Sequence, residues 1–261
     1  MKTVIILLAI IVLWNPTAFA AMRANVVEYK QGDTVLEGYL AYDDSFGGQR
    51  AGVLVFHDWL GVGSYVRART QQLASMGYVA FAPDIYGKGI RPNNAKEAAA
   101  LAGQYKNDRT LLRLRANAGL DILRSQSQVD PLRLAAIGYC FGGTAALELA
   151  RSSANIAAVI SFHGGLDTPT PEDAKNIRGK VLVLHGADDP FVPFDQVRAF
   201  EDEMRQAKVD WQLVAYGGAV HAFTIPDAGS DKTKGAAYDR KADKRSFEAM
   251  KVFLNEVFGE R

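Results

Sequence analysis

The sequence predicts an α/β fold: a mostly parallel, doubly wound sheet with an N-terminal antiparallel edge hairpin. Three observations carry this. Apolar runs of strand length recur along the chain, and helical patterns separate them. The runs are continuous rather than alternating, which calls for a sheet covered on both faces. The first two extended segments, in contrast, adjoin across a short turn.

Taken in order, Asn25 to Lys30 and Thr34 to Tyr42 read as the hairpin, joined around Gln31-Gly32-Asp33. Gly52 to Phe56 (GVLVF) reads as the first buried strand. Tyr65 to Met76 reads as a helix that stops at Gly77, and Tyr78 to Ala82 as the next strand, closed by Pro83-Asp84. Asn94 to Gln104 and Asp108 to Ser125 read as helices; the second carries Leu111, Leu112, Leu114, Leu120 and Leu123. Leu134 to Ile137, Ala157 to Phe162, Val181 to Leu184 and Trp211 to Ala215 read as strands. Thr144 to Arg151 and Ser246 to Phe258 read as helices, and the polar stretch Asp227 to Lys241 as a long surface loop. Strands alternating with helices imply right-handed crossovers and parallel pairing.

The first twenty residues differ from the rest. Lys2 precedes an apolar run from Val4 to Trp14, then Pro16, then Ala18-Phe19-Ala20-Ala21. A positive start, a run too short to span a bilayer comfortably and an A-x-A ending are marks of a secretory signal peptide. The expected boundaries are a signal peptide over 1–20, cleaved after Ala20, and one α/β domain over 21–261. A periplasmic or secreted location follows, with no stable membrane span after cleavage. The 261-residue chain has 30 basic and 29 acidic side chains, a net charge of +1. That balance argues against a nucleic-acid surface, which normally shows as a basic excess. No cysteine or histidine spacing suits a metal, and no cofactor motif occurs; the sequence fixes no oligomeric state.

Cys140 is the one cysteine, and it lies in IGYCFGGTAALELA, between a strand and a helix. Gly138-Tyr139-Cys140-Phe141-Gly142 is therefore the expected turn. It has the G-x-C-x-G form of a nucleophile elbow, with sulfur in place of oxygen. A sharp turn holds the nucleophile in a strained conformation, and glycines on either side relieve the crowding. The positive end of the helix favours a thiolate, and the Phe141 N–H is free for a developing oxyanion.

Such an elbow needs an acid and then a histidine, in that chain order. Among His57, His163, His185 and His221, only His221 falls in a loop after the last strand. Asp188 and Asp189 both follow the strand Val181 to Leu184, in HGADDPFVP. Asp189 is preferred because Pro190-Phe191-Val192-Pro193 would stiffen its loop. In this reading His221 takes the thiol proton, Asp189 orients His221, and Cys140 forms a thioester that water hydrolyses. The loop His57 to Val62 supplies the second oxyanion donor, a backbone N–H near Trp59. Asp58, in the same loop, is a candidate partner of the resting thiol.

These residues resemble the dienelactone hydrolase family of α/β-hydrolases. The matching pieces are VLVFHDWLGV, GYVAFAPDIYGKG, VDPLRLAAIGYCFGG, VLVLHGADDPFVP, GGAVHAFTIPDA and AYDRKADKRSFEAMKVF. The resemblance implies the same catalytic set, Cys140, Asp189 and His221, with oxyanion-hole backbone at Trp59 and Phe141. It places a glutamate of the family at Asp58, one methylene shorter here. The family's carboxylate-binding arginine after the histidine has no counterpart in His221-Ala222-Phe223-Thr224-Ile225; Arg109 and Lys106 are the candidates for the other half of that clamp. The expected substrate is a small ester, lactone or thioester. The alternatives are a general carboxylesterase or thioesterase without lactone preference, and a catalytically idle binding protein on the same scaffold.

Overall fold

Successive residues of the central strands enter two different cores, which is why the strands are apolar throughout. In β3 (Arg50–Phe56), Val53 and Val55 face one side while Leu54 and Phe56 face the other, and all four are fully buried. The protein, described by a computed structural model over residues 21–259, has eight strands in one sheet. The expected signal peptide, residues 1–20, lies outside the described residues.

The sheet order is β1-β2-β4-β3-β5-β6-β7-β8. β1 (Met22–Gln31) and β2 (Thr34–Asp43) form the edge hairpin, turned at Gly32 with φ 56°. β2 meets β4 (Val79–Ala82) antiparallel. From β4 onward all pairs are parallel: β3, β5 (Val129–Tyr139), β6 (Ala158–Phe162), β7 (Lys180–Gly186) and β8 (Trp211–Tyr216). Two helices cover one face: α1 (Ser64–Ser75) through Val66 and Leu73, and α6 (Arg240–Phe258) through Met250, Phe253 and Leu254. The other face carries α2 (Ala95–Asn107), α3 (Arg109–Arg124), α4 (Phe141–Arg151) and α5 (Phe194–Ala207).

Several elements depart from the sequence pattern for identifiable reasons. β5 begins five residues early, because Val129 and Asp130 pair with Arg50 and Ala51 before residues 131–133 bulge out. Pro131 has no N–H to give a ladder, so the bulge falls there. α5 carries no assignment in the sequence reading; its inner face is Val197, Phe200, Glu203 and Met204, and the carboxylate interrupts the apolar stripe. α6 starts at Arg240 rather than Ser246, because Asp239 caps it by accepting from the Lys241 and Ala242 N–H groups. The expected loop 227–241 therefore ends before the helix, and it contains two short 3-10 turns.

α4 is the helix that seats the site, and all eleven of its residues are buried. Its last residue, Arg151, donates to both Glu203 oxygens at 2.8 Å and to Glu148 at 3.0 Å. Glu148 also accepts from Arg113 of α3 at 2.8 Å. These pairs tie α4 to α3 and α5, and each buried charge has its counter-charge.

Candidate active site

The strand-to-helix turn is tighter than the five residues the sequence suggested. β5 ends at Tyr139 and α4 begins at Phe141, so Cys140 alone makes the turn, with φ 56° and ψ −119°. A non-glycine residue there costs about 1–3 kcal/mol and persists only where its surroundings enforce it. Here they do. The Cys140 N–H donates to Phe162 O at 3.0 Å, and Cys140 O accepts from the Gly143 N–H at 2.9 Å. The flanking glycines are there for contact. A Cβ on Gly138 would lie 1.8 Å from Gly142 O, and one on Gly142 would lie 2.3 Å from Phe56 O. Helix and strands thus approach closer than any side chain permits, and the sulfur is left partly exposed.

Cys140, His221 and Asp189 come together from three separate elements. The sulfur lies 3.0 Å from His221 Nε2, and His221 Nδ1 lies 2.8 Å from Asp189 Oδ2. The other Asp189 oxygen accepts from the Phe191 N–H at 2.8 Å. Asp189 is buried, whereas Asp188 is exposed. The loop of His221 is pinned by its N–H on Gly235 O and by its carbonyl on the Ala237 N–H. Phe191 sets its ring edge-on against the imidazole at 5.5 Å. Burial opposes a charge on His221. The Cys140 sulfur and the Asp189 carboxylate outweigh it and lift the imidazole to about 10.

Around the sulfur, Phe141 supplies the first amide of α4, which has no acceptor within the helix. The loop after β3 is fixed by Asp58. Its Oδ1 accepts from the Leu60 N–H at 2.7 Å, and its carbonyl accepts from His57 Nδ1 at 2.6 Å. His57 Nε2 accepts from the Ile85 N–H at 3.3 Å, so the ring proton sits on Nδ1. Burial pulls His57 down to about 4, and the ring is a neutral brace. The Tyr86 hydroxyl donates to Trp59 O at 3.1 Å and completes the loop. Burial pushes Asp58 up to about 6, partly countered by the Leu60 N–H. The hydrogen bond to the sulfur comes from His221, while the Asp58 carboxylate is turned to Leu60.

Arg109 and Lys106 both face Asp167, at 2.8 Å and 4.0 Å. Their charges are answered by this chain's own carboxylate in the loop after β6. Sequence reasoning passed over Tyr86, Tyr65, His163 and Thr224. The last three form a hydrogen-bonded chain against His221. No motif marks them, because they lie on three different elements. Among the described residues, no cluster of His, Cys, Asp and Glu suits a metal ion, and no helix is long and apolar enough to cross a membrane.

Known proteins resemble this chain over most of its length. The model of the dienelactone hydrolase family matches residues 36–258. A solved protein named m3DLH is 43% identical, covers 91% of this chain and 99% of its own, and superposes with a TM-score of 0.87. A dienelactone hydrolase-like promiscuous phosphotriesterase from metagenomic libraries is 41% identical over 91% of this chain and 99% of its own, with a TM-score of 0.86. Protein usf of Aquifex pyrophilus is 30% identical over 204 residues, 76% of this chain and 86% of that protein. With the fold, the elbow and the length of the match in agreement, the chain belongs to the dienelactone hydrolase family and is a hydrolase with the α/β-hydrolase fold.

Proposed function

We propose that the protein hydrolyses a small carboxylic ester or lactone through a thioester on Cys140, with His221 as acid and base and Asp189 as its orienting carboxylate. The observation that carries this is the line Sγ to Nε2 at 3.0 Å and Nδ1 to Oδ2 at 2.8 Å. The thiolate attacks the carbonyl carbon, and the carbonyl electrons move onto oxygen. That oxyanion is received by the Phe141 and Trp59 N–H groups. The C–O bond then breaks, and His221 Nε2–H protonates the departing alkoxide. Neutral His221 next takes a proton from water as the hydroxide adds to the thioester. The C–S bond breaks, and the thiolate and imidazolium are restored.

The test is turnover of p-nitrophenyl acetate by the wild type and by Cys140→Ala. Loss in the variant supports the reading; equal rates would rule out Cys140 as the nucleophile. Because Cys140 is the sole cysteine, iodoacetamide inactivation at one equivalent reports the same atom. A second reading follows from the 41% identical phosphotriesterase neighbour: the same thiolate attacks phosphorus in a neutral aryl phosphotriester. Release of p-nitrophenol from a dialkyl p-nitrophenyl phosphate, abolished in Cys140→Ala, would support it. The export reading remains part of the proposal. N-terminal sequencing of protein from the periplasm or medium should begin at Ala21, and a mature chain that retains Met1 would contradict it.

A further inference from the structure

Against the His221 ring lies a buried polar chain that the reaction itself does not use. His163 follows β6 with φ 40°, and it is fully enclosed. Its ring stands edge-on to His221 at 5.4 Å and to Phe223 at 5.0 Å. Its Nε2 lies 2.7 Å from the Thr224 hydroxyl. Thr224 is itself buried, three residues past His221, in the loop where Ala222 takes φ 57°. The same hydroxyl lies 2.6 Å from the Tyr65 hydroxyl on α1. Arg69 of α1 donates to the Tyr65 oxygen at 3.2 Å and to Thr224 O at 2.9 Å, and it is held by Asp243 of α6 at 2.6 Å.

We infer that Tyr65, Thr224 and His163 act as positioning residues, a hydrogen-bonded prop that holds His221 in line with Cys140. The inference rests on the proposed role of His221. His163 within the prop and Ala222 beside it are non-glycine residues at positive φ, so the local backbone does not rest there unaided. The Arg69 Nε–H donates to the Tyr65 oxygen, and the Tyr65 and Thr224 hydroxyls carry the chain on to His163 Nε2. His163 is neutral. Burial, followed by the nearby His221, holds it well below the ordinary histidine value. A neutral ring against His221 leaves the imidazolium without a second cation beside it. The other groups around His221 are Cys140, Asp189 and His185; on the prop's own side stand Arg69 with Asp243, and Tyr139.

The test uses Thr224→Val, Thr224→Ser and Tyr65→Phe in the full chain, with rates expressed per iodoacetamide-titratable thiol. Valine keeps the shape and removes the hydroxyl; serine returns it. Thr224→Val should lower kcat for p-nitrophenyl acetate by about tenfold or more with KM within about twofold, since a base out of line slows the chemistry and not the binding. Thr224→Ser should recover most of the loss. Tyr65→Phe, at the far end of the chain, should fall in the same direction by less. Thr224→Val within about twofold of wild type per titrated site overturns the prop, as does a loss that serine fails to restore. Cys140→Ala is run beside them. If it stays active, the proposed function fails; if it is dead while Thr224→Val is normal, only the prop fails.

Discussion

Replacing Asp189 by Asn separates the acid assignment from its neighbour, and the structure gives the size of the effect. Asp189 spends its two oxygens on two donors, the Phe191 N–H at 2.8 Å and His221 Nδ1 at 2.8 Å. An asparagine has one oxygen and one NH2. The backbone donor of Phe191 cannot face an NH2, so the oxygen stays with Phe191 and the NH2 turns to His221. Nδ1 must then accept, which moves the ring proton to Nε2 and leaves the neutral ring nothing with which to take the thiol proton. The imidazolium is also lost, because it needs an acceptor at Nδ1. Comparable tautomer inversion costs about four powers of ten in kcat, which converts to roughly 5–6 kcal/mol of barrier. The assay is p-nitrophenyl acetate turnover per titrated thiol, with Asp188→Asn as the control at an exposed site. If Asp189→Asn stays within tenfold of wild type, or Asp188→Asn does the greater damage, the assignment of Asp189 is wrong.

Other expectations follow from the scaffold. Gly138→Ala should abolish soluble expression, since the added Cβ would sit 1.8 Å from backbone oxygen; a well-folded, normally melting variant would show that the elbow can open. Glu203→Ala leaves Arg151 buried with only Glu148, and chemical denaturation should show a loss of about 3 kcal/mol. Asp58→Asn should stabilise the protein in a pH-dependent way. Burial raises the folded carboxyl from 3.8 to about 6. The native state therefore binds the proton more tightly than the unfolded chain; that advantage is complete below pH 3.8 and lost as pH rises through about 6. The neutral amide escapes this, so Asp58→Asn should gain on wild type between pH 4 and 7, by up to about 3 kcal/mol. A stability difference that is the same at both pH values would refute the burial argument.

What the sequence revealed and what it concealed divide along a physical line. The parallel strands were legible because residues such as Val53 and Leu54 are buried on opposite faces and leave an unbroken apolar run. The Cys140 turn was legible because close backbone approach admits only glycine at 138 and 142, and glycine spacing survives in a one-dimensional string. His221 was singled out by elimination and chain order, and Asp189 by the stiff Pro190-Phe191-Val192-Pro193 segment after it; both lie in line with Cys140. α5 was hidden because its inward stripe contains Glu203, whose partner Arg151 lies 52 residues away. Likewise, nothing local to Tyr65, His163 or Thr224 announces that they meet; their hydrogen bonds span 159 and 61 residues. Apolar burial writes itself into periodicity, whereas buried polar pairing is a property of topology.

That distinction explains how the site holds its strain. Cys140 sits at positive φ because backbone from three strands closes on it: Phe162 O from β6, Phe56 O from β3 above Gly142, and Gly138 within β5. Each contact is a backbone contact, and no single side-chain change outside the glycines removes it. His221 is held differently. Besides the backbone bonds of its loop, to residues 188, 235, 237 and 239, it stands against the side chains of the inferred prop: Tyr65 on α1, His163 just after β6 and Thr224 in the loop itself. The backbone at Cys140 should therefore be robust to substitution around it and the placement of His221 sensitive to it. Loss of function by mutation away from Cys140, His221 and Asp189 should concentrate on the His221 side, at Thr224, His163 and Arg69. Random mutagenesis scored per titratable thiol would show it, and an even scatter over α4 and the β5 end would contradict the asymmetry.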